Sequence, residues 1–203
     1  MSKIILASAS PRRRELLSQI GISFEVITSD AEEITGSTLP REMVEELSFL
    51  KAKDVFEKLS LKEQKESIII GADTVVACDG KVLGKPGDKQ HAFEMLSMLQ
   101  DREHQVYTGV TLLKHKETGE DFEGNNAYES VTFHEETTVH VYAMDEEEIL
   151  KYMETGEPMD KAGGYGIQGL FAKFVKGIEG DYYNVVGLPV SRLYRELKNW
   201  KKV

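Results

Sequence analysis

The sequence predicts an α/β domain with a mixed, strongly twisted sheet flanked by helices, on the strength of three observations. Short β-branched runs alternate with helical patterns through the first hundred residues. Two long strand-like stretches, HQVYTGVTLLKH (104–115) and SVTFHEETTVHVYA (130–143), then follow one another. The length, 203 residues, suits one well-packed domain spanning 1–203, with room for two lobes. No repeat, low-complexity segment or long linker divides the chain.

Each element has a local reason. Lys3 to Ala7 is a short apolar run bounded by small residues, which reads as a buried strand. Ser10 is a good N-cap, Pro11 suits the first helical position, and Leu16, Leu17 and Ile20 give an apolar face that Gly21 ends. ISFEVIT (22–28) is a second strand and EEITGSTLP (32–40) a polar loop. Pro40 to Leu59 is helical, with Val44, Leu47, Leu50, Val55 and Leu59 as its stripe. SIIIGADTVVA (67–77) reads as a buried strand broken at Gly71-Ala72-Asp73-Thr74, followed by an Asp-Gly hairpin turn at 78–81. Asp88 caps a helix to Leu99, and Asp145 caps another to about Glu154. A glycine-rich loop from Thr155 to Gly169 precedes a strand FAKFV (171–175), and Pro189 opens a last helix reaching Trp200.

The net charge of −10 argues against a general nucleic-acid or anionic-membrane binder, which needs a basic surface. Cys78 is the only cysteine, so no internal disulfide forms and a reducing cytoplasm fits. The sequence suggests no signal peptide and no apolar run of membrane-spanning length, so a cytoplasmic protein is expected.

Against this acidic background SASPRRRELL (8–17) stands out. A helix N-terminus carries partial positive charge, so Arg12, Arg13 and Arg14 sit where cations are disfavoured. One reading is a solvated basic stretch paired with Glu15 and other acids. The other is an anion site, in which amides, helix dipole and guanidinium forks converge on a polyphosphate and Ser8, Ala9 and Ser10 allow close approach. Successive helical residues fan out by about 100°, so at most two of the arginines share one target. As an exposed first-turn residue, Arg13 is expected to contribute little to packing.

Asp73 lies within an apolar segment, where a carboxylate must be paired, hydrogen-bonded or open to a cleft. It is either a structural acceptor at a bulge or a general base or metal ligand at a sheet edge. Glu32 and Glu33 could join it to hold Mg²⁺. Lys85, framed by Gly84 and Pro86, and Lys51, on the long helix, are candidate phosphate partners. GYGIQG (164–169) has the spacing of a dinucleotide fingerprint but follows a helix and opens a strand, so its glycines shape a loop and Gln168 offers an amide to a base edge. The five histidines have no ligand spacing, one cysteine excludes thiolate zinc sites, and no histidine lies near Ser8 or Ser10 to activate them.

Taken together, LASASPRRRELL, IIIGADTVV, VLGKP, YTGV, TGEPMDKAGGYGIQG and YYNVVGLP resemble the Maf family of nucleoside triphosphate pyrophosphatases, from about Lys3 to Leu197. The resemblance implies hydrolysis between the α and β phosphates, giving a monophosphate and pyrophosphate. It implies a divalent metal cation (Mg²⁺, Mn²⁺ or Co²⁺), a cleft between two lobes, a fold similar to the inosine triphosphate pyrophosphatases, a homodimer and a link to arrest of septum formation. Asp73 maps to the proton acceptor, and Ser8, Arg12, Arg13, Glu33, Lys51 and Lys85 map to phosphate and metal groups, with the metal on Asp73 and Glu33. Arg12, Thr74 and Gln168 match the subgroup that prefers dTTP and UTP rather than the one acting on N7-methylated GTP, which shows Trp, Gln and Glu there. Arg14 departs from the pattern. Two rivals stand beside this reading: a nucleotide-sensing regulator of cell division that uses the same pocket and needs no turnover, and a nucleotidyltransferase that also cleaves between the α and β phosphates but passes the nucleotide to an acceptor.

Overall fold

The computed structural model describes residues 2–116 and 127–200. The expected domain span, 1–203, also takes in residues 1, 117–126 and 201–203, which lie outside the described residues. The chain opens with β1 (Lys3–Leu6), α1 (Pro11–Gln19), β2 (Glu25–Val26), α2 (Pro40–Lys58) and α3 (Leu61–Glu66). It continues through β3 (Ser67–Cys78), β4 (Lys81–Leu83), α4 (Lys89–Leu99), β5 (Glu103–His115) and β6 (Tyr128–Val141). It closes with α5 (Glu146–Glu154), three short 3-10 turns, β7 (Val175–Glu179), α6 (Tyr182–Val186) and α7 (Val190–Trp200).

The sheet is open, mixed and twisted, in the order β2-β1-β3-β5-β6-β7, with β4 attached to β3. β1 pairs in parallel with β2 and β3, and the other pairs are antiparallel. Strand alternation sorts the core into two layers. Ile4, Leu6, Ile68 and Ile70 pack with α1 and α7 on one face, while Ile5, Ala7 and Ile69 pack with α2 on the other. A third core holds the far lobe, where Val76, Val106 and Val139 meet Leu96 of α4, Ile149 of α5 and Phe171.

α2 lies unusually close to the sheet because two strand residues under it have no side chain. A Cβ on Gly71 would fall 2.1 Å from the Ser48 carbonyl, and one on Gly109 would fall 2.2 Å from that of Val44. This explains a departure from the expected α2 stripe. Ser48 and Ala52 join Val44, Leu47, Val55 and Phe56 in the buried face, whereas Leu50 and Leu59 are only half-buried. The Ser48 hydroxyl is satisfied by the Glu45 carbonyl and Thr111 Oγ1, each at 2.9 Å.

Elsewhere the structure corrects the sequence reading at definite points. β3 runs unbroken through Gly71–Thr74, paired to β5 across the whole segment. FAKFV is not a strand: Leu170–Phe174 is a 3-10 turn burying Phe171 and Phe174, an i, i+3 spacing, and the strand begins at Val175. The second strand shrinks to two residues, because β1 offers only Ile5 and Leu6 to pair with it. Ser10 has N-cap backbone geometry but its side chain makes no capping bond. α3, with a full capping box between Ser60 and Glu63, together with β4 and α6, escaped the sequence reading. The Asp-Gly hairpin holds, with Asp79 and Gly80 both at positive φ (50° and 74°).

Two stability predictions follow from this packing. Gly71→Ala should destabilise the fold by about 3 kcal/mol or more, because α2 backbone rather than a flexible side chain blocks the methyl; urea unfolding would show a lower midpoint at unchanged slope. His104 on β5 is fully buried, and burial first, then His140, pull its pKa down to about 4. Its unfolded form takes up a proton near pH 6.5 and the folded form resists, so stability should fall as pH drops from 6.5 towards 4, by up to about 3 kcal/mol. Melting curves across that window should flatten in His104→Gln.

Candidate active site

The cleft originates in an exchange of neighbours along β3. One edge of β3 is filled by β5 from Ile68 to Ala77. The other edge carries β1 over Ser67–Ile70 and then β4 over Val76–Cys78. Residues 71–75 are left open between them, and a cleft of about 690 Å³ enters there. Because the opening is at an edge, both faces of the strand reach it. Asp73 points to the α2 side and Thr74 to the α1 side, yet both line the cleft. The edge position expected for Asp73 therefore holds locally, although β3 lies inside the sheet.

On the α2 side, Lys51 Nζ donates to Asp73 Oδ1 at 2.6 Å and lies 2.8 Å from Glu33 Oε1. Lys51 and Asp73 are mostly buried, with side chains 13% and 11% exposed, while Glu33 sits at the mouth at 58%. Burial works to raise the Glu33 pKa, but the Lys51 hydrogen bond and charge, helped by Lys85 and Arg13, hold it below the ordinary carboxylate value. Glu32 is exposed and stays outside the cleft lining, so only one of the two loop acids joins Asp73.

On the α1 side, Arg13 is knitted into the wall. Its Nε donates to the Gly187 carbonyl at 2.8 Å, Nη1 to Ser8 Oγ at 3.1 Å and Nη2 to Thr74 Oγ1 at 3.0 Å. Burial lowers its pKa, Asp73 works to raise it, and Arg12 adds to the lowering. The expectation of an exposed arginine with little packing role is thus corrected: Arg13 is half-buried and ties α1 to β3 and to the end of α6. Arg12 turns towards Asp160 at 3.4 Å, and Arg14 bends back to the Ala9 carbonyl, outside the cleft lining. The fan of side chains has separated the three as helical geometry requires. Ser10 makes no capping bond, and the first-turn residues Pro11, Arg12 and Arg13 of α1 line the cleft.

The far wall comes from the glycine-rich segment. Its Gly163 amide donates to the Gly84 carbonyl at 3.0 Å, which joins it to the turn bearing Lys85. Lys85 and Gln168 both line the cleft with exposed side chains. Sequence reasoning did not single out Lys161, whose Nζ bonds the Glu157 carbonyl (2.8 Å) and Asp160 (2.5 Å), or the Gly187 carbonyl that holds Arg13. Both fall inside motifs that carried the resemblance, DKAGGYGIQG and YYNVVGLP. The cleft is thus lined by five cations (Arg12, Arg13, Lys51, Lys85, Lys161) and three carboxylates (Glu33, Asp73, Asp160) in a chain of net charge −10. This is a local positive field suited to a polyanion.

A family model described as Maf-like protein matches residues 3–200. The chain belongs to the Maf-like family. Relatives within it named dTTP/UTP pyrophosphatase include one from Agathobacter rectalis, 51% identical over 209 residues, covering 98% of this chain and 97% of the relative. Another, from Lachnoclostridium phytofermentans, is 49% identical over 200 residues, covering 98% and 96%. A third, from a Thermoanaerobacter species, is 50% identical over 196 residues, covering 97% and 95%. The open mixed sheet and two-lobed cleft agree with the Maf fold that the sequence motifs implied.

Removing the Lys51 ammonium leaves the buried Asp73 carboxylate without its hydrogen-bonded cation and Glu33 without its nearest one. Lys51→Met should lower stability at pH 7 by roughly 2–3 kcal/mol. Combined with Asp73→Asn it should lose less than the sum of the two single changes, as read by urea unfolding of all four proteins.

Proposed function

We propose that this protein is a nucleoside triphosphate pyrophosphatase that hydrolyses dTTP and UTP between the α and β phosphates, releasing the monophosphate and pyrophosphate. The observation that carries the reading is the pairing of Asp73 with Lys51 in a cleft whose opposite wall presents Arg13. A carboxylate aimed at a site walled by cations is what attack of water on a polyphosphate requires. The names of relatives at about 50% identity support the same chemistry and the pyrimidine substrates.

In this reading Arg12, Arg13, Lys51 and Lys85, with the N-terminal end of α1 and the Ser8 hydroxyl, bind the triphosphate and offset its charge. Asp73 accepts the proton of the attacking water, with Lys51 on Oδ1 fixing the carboxylate and leaving Oδ2 for the water. Gln168, at the rim, donates and accepts along the uracil or thymine edge, and its neighbouring glycines bring backbone close to the base.

Among the described residues no cluster of three or more His, Cys, Asp or Glu is present. Asp73 and Glu33 nevertheless converge on one point, marked by the Lys51 ammonium. Two carboxylates completed by substrate oxygens suit a hard cation such as Mg²⁺, or Mn²⁺ or Co²⁺, rather than a thiolate-loving metal. When bound there, such a cation would supply charge neutralisation at the phosphate oxygens.

Among the described residues no helix is long and apolar enough to cross a membrane. A cytoplasmic location, a homodimer and a role in septum arrest remain part of this reading; the buried lone cysteine and the family resemblance support them.

The deciding assay is pyrophosphate release from UTP, dTTP, ATP and GTP with added Mg²⁺, Mn²⁺ or Co²⁺, with monophosphate as the only nucleotide product. Turnover should favour the two pyrimidines and vanish on exhaustive chelation. Asp73→Asn should lower kcat by about 10²–10⁴-fold while nucleotide binding persists. A folded variant with most of its turnover would transfer the base role away from Asp73.

A further inference from the structure

Behind Arg13 lies a chain of hydrogen bonds whose direction is forced by the donor inventory. Arg13 Nη2 can only donate, so Thr74 Oγ1 accepts at 3.0 Å. Thr108 Oγ1 donates its single proton to the Asn184 carbonyl at 2.9 Å. The Thr74–Thr108 contact, 3.0 Å between hydroxyl oxygens, must then run from Thr74 to Thr108. The only hydroxyl proton of Thr74 is therefore spent on Thr108, and none is left for a nucleobase carbonyl.

The far end of the chain is fixed firmly. Thr108 and Asn184 are fully buried, and Thr108 does not line the cleft. The Asn184 side chain donates to the Val106 carbonyl at 2.9 Å and to Thr137 Oγ1 at 3.0 Å, and Thr137 in turn donates to the Asp181 carbonyl at 3.0 Å. α6 therefore grips Arg13 twice: directly through the Gly187 carbonyl on Nε, and through Asn184, Thr108 and Thr74 on Nη2. Two anchors on different nitrogens fix the rotation of a planar guanidinium as well as its position.

We infer that Thr108 is a positioning residue for triphosphate binding, acting through Thr74 on Arg13, and that the Thr74 hydroxyl serves the arginine rather than the base. This rests on the phosphate-binding role proposed for Arg13. Removing the Thr108 acceptor frees the Thr74 hydroxyl to rotate, so its lone pair is no longer held on Arg13 Nη2 and its proton can turn into the cleft or against the arginine N–H. Arg13 would keep its charge and its bonds to the Gly187 carbonyl and Ser8 Oγ, but its outer nitrogen, Nη2, would lose the acceptor that sets it against the cleft.

The test compares wild type, Thr108→Val, Thr108→Ser, Thr74→Val and the Thr74→Val/Thr108→Val double variant. Inorganic tripolyphosphate, which has no base, is titrated by calorimetry, and kcat and KM are measured for UTP and GTP. Each valine variant should weaken tripolyphosphate binding by roughly ten- to a hundredfold, the scale of one hydrogen bond to a charged group. KM should rise by the same factor for UTP and GTP, leaving selectivity unchanged. Thr108→Ser should retain affinity, and the double variant should be no worse than either single one, because both cut the same chain. Wild-type affinity in Thr108→Val, or additive losses in the double variant, would overturn the inference. If Thr108→Val does not fold, Thr74→Val decides: altered UTP-to-GTP selectivity with unchanged tripolyphosphate affinity overturns it. No tripolyphosphate binding by the wild type removes the phosphate role of Arg13 itself, a separate failure recognisable before any variant is compared.

Discussion

The free edge of β3 is the constraint from which the site follows. A strand has two hydrogen-bonding edges, and here one of them is shared between β1 and β4 with an unpaired interval at residues 71–75. β1 cannot extend past Leu6 alongside β3 because the chain leaves the sheet to start α1, and β4 cannot reach back because its hairpin is only three residues long. Parallel and antiparallel partners thus abut without meeting. The cleft opens where they part, the kind of place at which open α/β sheets take ligands. Asp73 and Thr74 are adjacent in sequence and opposite in orientation, so a single dipeptide supplies an acid to one wall and an arginine anchor to the other.

Electrostatics within the cleft are organised in two separate systems. On the α2 side, Lys51 is shared between Asp73 and Glu33, so one cation holds both carboxylates in place. On the α1 side, Arg13 is aimed by neutral acceptors: two hydroxyls and a carbonyl. Neutral acceptors fix a guanidinium without cancelling its charge, whereas a carboxylate partner would compete with phosphate. Arg12 has such a competing partner in Asp160, at a longer 3.4 Å and near the cleft mouth. The two arginines thus differ: Arg13 is held by neutral groups alone, while Arg12 shares its charge with an acid.

The legible parts of the sequence were those with a local physical signal. β1 into α1, the Asp-Gly hairpin, the Asp88 and Asp145 caps and the two long strands needed only periodicity and capping chemistry. The separation of the arginines followed from helical geometry alone. What escaped depended on distant chain. GADT looked like a break because glycine and a charge interrupt an apolar run, but α2 fills the space over Gly71 and Lys51 satisfies the charge. Phe171 and Phe174 in FAKFV bury at helical spacing because the far-lobe core receives them from one side only. Ser8 is five residues from Arg13, but its other two partners, Thr74 and Gly187, lie 61 and 174 residues away, beyond any single motif window. Family resemblance named residues for the site, but only the fold shows which wall each belongs to.

The close seat of α2 on Gly71 and Gly109 has a consequence for how this protein can change over time. The separation of helix and strand there is set by backbone touching side-chain-free backbone, which leaves nothing to compress. The reach of Lys51 to Asp73 is measured from that same seat, one turn along the helix from Ser48. Any residue larger than glycine beneath α2 would lift the lysine away from the acid as it loosened the layer. The layer packing and the Lys51–Asp73 ion pair therefore depend on one shared spacing, and a change beneath α2 disturbs both.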